Sequence, residues 1–240
     1  MTEKTTHREV KHPRLSDNKL ADYMGASEQA RRGILQSCKY QRKTAVIQHH
    51  DARRMVAESI VNGNVDDEKL KKKLDVYDGK ITDTDFEEEV KGHNIDYVKS
   101  VLTMGFEPIK GSDFERCKTQ LKLSFNGTDI SFFPDVLVSR TNQRNNRKIG
   151  ALNLRYSKST KLPETTARYQ SALMFGVFRE HPFEPEATPE QALCQTLDAF
   201  NGKVYPAPTN SIYLFNEMAA VCAGIAERWP NIPPPPGAIF

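Results

Sequence analysis

The stretch that most narrows what this chain can fold into runs from Thr119 to Leu162, the one part of the sequence that reads as consecutive strands. Leu121, Leu123 and Phe125 alternate with Lys122 and Ser124, which is the period of a half-buried strand. Asn126-Gly127 supplies the residue pair best suited to a two-residue hairpin turn, and Ile130, Phe132 and Phe133 return from it. Pro134-Asp135 then opens Val136-Leu137-Val138, and a polar loop, SRTNQRNNRK, leads to Ile149 to Tyr156. That last segment is apolar for most of its length, as expected of a central strand covered on both faces.

Helical patterns flank these strands. Residues 1–20 carry five basic and few apolar side chains and read as a flexible basic arm. Ser27 is an N-cap for a helix whose buried stripe is Ala30, Ile34, Leu35 and Cys38. A second pattern runs from Val46 and Ile47 through Met55, Val56 and Ile60 to Asn62-Gly63, either as a separate helix or as the same helix bent. Residues 66–75 read as a short charged helix or loop and Asp83–Val90 as an acidic helical turn, together the expected insertion or mobile hairpin. Ile95, Val98, Val101 and Leu102 mark a core-facing helix ending at Gly105. Thr165 to Arg179 suits a packed helix, Leu197 to Tyr205 a further hairpin around Asn201-Gly202, and Ile212 to Trp229 a terminal helix. PNIPPPPGAIF reads as a polyproline-like, disordered end.

The expected organisation is a basic arm (1–20), one domain (21–230) and a Pro-rich tail (231–240). The domain comprises N-terminal helices over 27–104, a sheet core over 119–180, and a C-terminal hairpin and helix over 190–230. The fold class is α+β, or α/β, with a central mixed β-sheet flanked by helices.

Composition removes several function classes. Four well-separated cysteines with no CxxC pair argue against a zinc or disulfide framework and for free buried thiols. Adjacent His49 and His50 point about 100° apart on a helix, so they do not suit one metal ion. Asp198 reads as a turn residue. No apolar run reaches the roughly 20 residues that span a bilayer, and the N-terminus lacks a secretory pattern, so the expectation is cytoplasmic with no membrane contact. No glycine-rich loop follows a strand, and no local signature of a serine or cysteine hydrolase is present. The net charge of +3 hides an uneven spread: basic residues exceed acidic ones by six over 1–55 and by six over 96–161, while acidic residues exceed basic ones by five over 56–95. Two basic sections flanking an acidic one permit contact with a polyanion.

The order helix, hairpin, Asp135, apolar strand, helix resembles the core of the PD-(D/E)XK nuclease superfamily, particularly its RecB-like branch. Hairpin LKLSFNGTDISFF ending in Asp135 looks like the strand pair that leads to the metal-binding aspartate, IGALNLRYSKS like the catalytic strand, and Tyr169-Gln170 with Met174 like the start of the following helix. The resemblance implies a restriction-endonuclease-like core, with Asp135, Asn153, Arg155, Glu58 and Gln170 at the catalytic positions. It also implies Asp135 and Glu58 as ligands of Mg²⁺, for which Mn²⁺ can substitute. In such a site two carboxylates hold a hard cation, which polarises the scissile phosphate, and a lysine two residues on supports charge there. This chain departs at both later positions. Asn153 lacks the charge of an acid, and Arg155 grips phosphate but does not manage a water as lysine does. A shifted register would bring Tyr156 and Lys158 into play, or a carboxylate could come from Glu107 or Asp113.

Three readings follow. The first is a DNA-binding protein on a nuclease-like sheet whose catalysis is weak or lost, gripping phosphate through Arg31, Arg32, Arg144, Arg147, Lys148 and Lys158. The second is an active Mg²⁺-dependent DNase with relocated groups. The third is a non-catalytic accessory subunit or homodimer that uses the acidic section and the Pro-rich tail.

Overall fold

The computed structural model describes residues 5–43, 49–62, 67–107, 109–156, 161–181, 183–184 and 186–240. Val46 and Ile47 of the second helical pattern, and Lys158 of the basic set, lie outside them. In chain order the elements are β1 (His7–Glu9), β2 (Arg14–Ser16), α1 (Asp17–Gly25), α2 (Glu28–Lys39), β3 (Tyr40–Arg42), α3 (His50–Val61), α4 (Asp67–Asp78), α5 (Asp85–Met104), β4 (Asp113–Arg116), β5 (Leu121–Phe125), β6 (Thr128–Phe132), β7 (Val136–Thr141), β8 (Arg147–Arg155), α6 (Glu164–Glu180), β9 (Thr188–Pro189), β10 (Gln195–Asp198), β11 (Lys203–Pro206) and α7 (Ser211–Arg228). The chain is of mixed α/β character with sheets flanked by helices, as the alternation of patterns predicts.

The main sheet has the order β11-β10-β8-β7-β4. β4, β7 and β8 are antiparallel neighbours, β10 joins β8 in parallel after the α6 crossover, and β11 closes a hairpin on β10. β8 is the centre, with residues 149–154 all buried. Its side chains divide by the strand period of two. Ile149 and Ala151 face a core built with α1, α2, α6 and α7, while Leu152 and Leu154 face a second core built with α3, α4 and α5. Short β9 and then β10 pair with the same edge of β8, and the one turn of 3-10 helix between them crosses Gly150. A Cβ on Gly150 would lie 2.4 Å from the Leu193 carbonyl carbon, so only glycine fits beneath that crossing.

The hairpin at Asn126-Gly127 forms as expected, both residues having positive φ. Its destination corrects the sequence reading. β5 and β6 do not extend the main sheet but form a separate three-stranded sheet with β2, packed on α7, where Thr128 Oγ1 donates to the Cys222 carbonyl at 2.8 Å. The strand that precedes β7 in the main sheet is instead β4.

Much of the expected basic arm is also structured. Ser16 Oγ caps α1 by accepting from the Lys19 amide at 3.2 Å, and Leu20, Ala21, Tyr23 and Met24 are buried. Strand β3 separates α2 from α3, so the two helical patterns are not one bent helix. The acidic turn and the core-facing pattern merge into a single helix, α5, capped by Thr84 and ended by Gly105 in the left-handed conformation. Within the charged 66–75 stretch, residues 67–75 belong to helix α4, and Leu70 and Leu74 anchor it in the core with α3 and α5 rather than leaving it a mobile hairpin.

The Pro-rich end is docked, not disordered. The buried Lys39 ammonium donates to the carbonyls of Trp229, Pro230 and Ile232 at 2.9, 3.2 and 3.3 Å. The amides of Thr6 and His7 donate to the Ile239 carbonyl, which ties the last residues to β1. All four cysteines are free and buried.

Candidate functional site

Four of the five expected catalytic residues, all but Glu58, meet where β7 begins and β8 ends. Antiparallel pairing sets Val136 opposite Leu152, and the Asp135 amide donates to the Leu152 carbonyl at 3.1 Å. That register places the Asp135 carboxylate beside the last turn of the β8 backbone, where its Oδ2 accepts from the Leu154 amide at 2.7 Å. Arg53 reaches the same oxygen from α3, with Nη2 at 2.8 Å.

Asn153 and Arg155 are two residues apart on β8 and share the face covered by α1 and α6. Asn153, 1% exposed, donates from Nδ2 to Asp17 Oδ2 at 3.0 Å, while its Oδ1 is buried without a hydrogen-bond partner. Arg155 donates from Nη1 to Gln170 Oε1 at 3.0 Å and from Nη2 to Asp22 Oδ1 at 2.5 Å. Gln170 in turn donates to Asn18 Oδ1. Asp135, Asn153, Arg155 and Gln170 therefore converge on one end of the sheet, in a polar network completed by Asp17, Asn18 and Asp22 of α1 and by Arg53.

Glu58 does not take part. It accepts from Lys73 Nζ of α4 at 3.0 Å, and the α3 side chain that reaches the sheet is Arg53. The carboxylate brought close to Asp135 is Asp17, a residue the sequence reading assigned to the arm. Ser16 as an N-cap and the Leu20–Met24 spacing were the signals that could have found its helix.

Burial dominates the electrostatics of the network. It raises the Asp17 carboxyl to about 6, with the Asp135 charge adding to the effect and the Asn153 hydrogen bond and the Arg53 charge opposing it. Burial works against the Arg53 guanidinium as well, but Asp135 and Asp17 outweigh it and its pKa is raised. Tyr97, fully buried beneath the site with its hydroxyl unpartnered, is pushed up by burial and then by Asp135.

The donor set does not fit the Mg²⁺ site that the resemblance implies. A hard divalent ion needs several oxygen ligands with free lone pairs. Here Asp135 is neutralised by a guanidinium, and Glu58 is paired elsewhere. His50 contacts Asp51, whereas His49 packs against Tyr156 with ring centroids 4.9 Å apart, so the two histidines go separate ways.

The expected phosphate-gripping side chains are dispersed and partly neutralised. Arg31 donates to the Tyr23 and Met24 carbonyls and lies over the Tyr23 ring. Arg147 is paired with Glu184 and Asp113, and Lys148 donates to Thr188 Oγ1. Arg32 and Arg144 are exposed. A small cavity of about 200 Å³ opens beside the network, lined by Asp22, Arg155, Tyr156, Lys161 and Asp198. The Asp198 carboxylate is occupied in its turn, accepting from the Phe200 and Asn201 amides. No helix among the described residues is long and apolar enough to cross a membrane.

No protein-family model matches the chain, and comparison with curated proteins finds no match.

Proposed function

We propose that this chain binds DNA on a nuclease-like core without cutting it. The observation that carries the reading is the convergence of Asp135, Asn153, Arg155 and Gln170 at one end of a sheet in which β4, β7 and β8 are antiparallel and β10 follows α6 in parallel. The chain order of these four residues supports the PD-(D/E)XK reading, while the hairpin that joins β2 in a separate sheet and Glu58, paired with Lys73, depart from it. The Arg53 guanidinium stands at Asp135 where a hydrolytic site needs a metal ion, and Arg155 is held by Asp22 and Gln170, which supports loss of cutting. Arg32, Arg144 and Lys161 are among the exposed cations available to phosphate.

Fluorescence anisotropy with duplex and single-stranded oligonucleotides at several salt concentrations tests binding. The logarithm of affinity should fall with that of salt by about 0.7 to 0.9 per phosphate contacted. Absence of salt-dependent binding removes the reading, and copurification of a defined protein partner in its place favours an accessory subunit. Incubation with Mg²⁺ or Mn²⁺ tests the second half. Cleavage that disappears in Asp135→Ala would show an active nuclease instead.

A further inference from the structure

A groove of about 670 Å³ lies between α5 and the β10–β11 turn, and its lining includes Lys99, Ser100, Thr103, Tyr156 and Phe200. Phe200, at the tip of that turn, is 37% exposed. An exposed phenyl on an unsupported loop needs no explanation, but the backbone of this one is hydrogen-bonded by a neighbouring carboxylate. The Asp198 carboxylate accepts the Phe200 amide at 3.1 Å and the Asn201 amide at 3.2 Å, and also takes the Asn201 side-chain amide. Gly202 then turns the chain back with φ +63.

Beneath Phe200 the aromatic surface continues inward. Tyr156 meets Phe200 edge to face with centroids 5.8 Å apart, and Tyr97 stacks on Tyr156 at 4.7 Å with planes 12° apart. Tyr156 also lines the small cavity that holds Arg155 and Lys161, so groove and cavity share a wall. Tyr156 therefore stands between a groove lined by Phe200 together with Asp96 and Lys99 and a cavity that carries Arg155 and Lys161. The carboxylates of that cavity are already engaged, Asp22 by Arg155 and Asp198 by its turn.

We infer that this groove binds single-stranded nucleic acid, with a base stacked on Phe200 beside Tyr156 and the adjoining phosphate reaching past Tyr156 toward exposed Lys161. The inference rests on the proposed nucleic-acid binding and narrows it to unpaired strands. An exposed aromatic ring whose backbone is already held in its turn offers a base a stacking surface. Only an unpaired base offers such a platform a free face, because in a duplex both faces are covered by neighbouring pairs.

The test compares a 15-nucleotide oligothymidine and a 15-base-pair duplex, using wild type, Phe200→Ala, Phe200→Leu and Phe200→Trp. Loss of one stacked base corresponds to about a tenfold fall in affinity. Phe200→Ala and Phe200→Leu should lose that much for the single strand, with the salt slope and the duplex affinity unchanged, while Phe200→Trp retains binding. A 2-aminopurine base in the oligonucleotide should be quenched by wild type and not by Phe200→Ala. Leucine preserves apolar bulk, so a merely structural role for Phe200 would leave Phe200→Leu binding intact and overturn the inference. Wild-type affinity shared by all variants would overturn it too, while leaving the proposed function standing. No binding of either oligonucleotide by wild type would overturn both.

Discussion

Arg53 and Asp135 form an ion pair, Nη2 to Oδ2 at 2.8 Å, that joins α3 to the point where β7 starts and β8 ends. Asp135 has a side chain only 10% exposed; burial is the main cause of the raised Asp17 carboxyl, the Asp135 charge adds to it, and the Arg53 cation opposes it.

Removing that cation leaves two poorly solvated carboxylates at one end of the sheet without it. Arg53→Ala should lower stability by about 2 kcal/mol, below the figure for a fully buried pair because Arg53 is 30% exposed. Adding Asp135→Asn should recover part of the loss. Urea denaturation of the two single variants and the double variant measures the coupling, and simple additivity would exclude it.

Asp17 makes stability depend on pH. Its folded pKa of about 6 lies above the ordinary 3.8, so the folded state holds the proton more tightly than the unfolded chain. Stability should therefore be greatest below pH 4 for this group and fall as pH rises from about 4 to 6, by about 3 kcal/mol in total. Asp17→Asn should remove that slope and raise the melting temperature at pH 8. Thermal melts across pH 4 to 8 decide it, and an unchanged slope in the variant would assign the dependence to another group.

Lys39 connects the terminal residues to the body of the protein through three backbone carbonyls. Lys39→Met keeps the apolar stem but leaves those acceptors unpaired, at a cost of about 2 kcal/mol. Limited proteolysis should then cut near residues 232–240 at protease concentrations that spare the wild type. Equal resistance would mean that the contacts of Trp229 and Ile239 suffice.

Two helical glycines should respond in opposite directions. A Cβ on Gly176 would sit 2.1 Å from the Phe215 ring, so Gly176→Ala should destabilise by about 2 kcal/mol through overpacking between α6 and α7. A Cβ on Gly224 meets nothing within 4 Å, so Gly224→Ala should stabilise α7 by about 0.5 kcal/mol. Chemical denaturation of both variants separates packing from helix propensity.

The elements most legible in the sequence were those whose signals are local and strong. The apolar run Ile149 to Leu154 marks a strand buried on both sides, and residues 149–154 are buried. The Ser27 cap and the Asn126-Gly127 turn also form as read. Helix α1 was missed because nine residues with few apolar side chains barely register against a basic background. Glu58 and Arg53 lie on one helix, five residues and so about 140° apart; the sequence identifies both faces, but docking of α3 chooses which one meets the sheet.

Chain order and side-chain period by themselves determined that a hairpin precedes Asp135, that β8 is central and that Asn153 and Arg155 share one face. These depend only on neighbours a few residues away. Tertiary structure alone decided that the hairpin leaves the main sheet for β2, that β4 takes its place, and that Arg53 neutralises Asp135. It also brought Asp17 to Asn153, 136 residues along the chain. Pairings of that range are set by which apolar faces bury each other best, and no window of local sequence contains both partners.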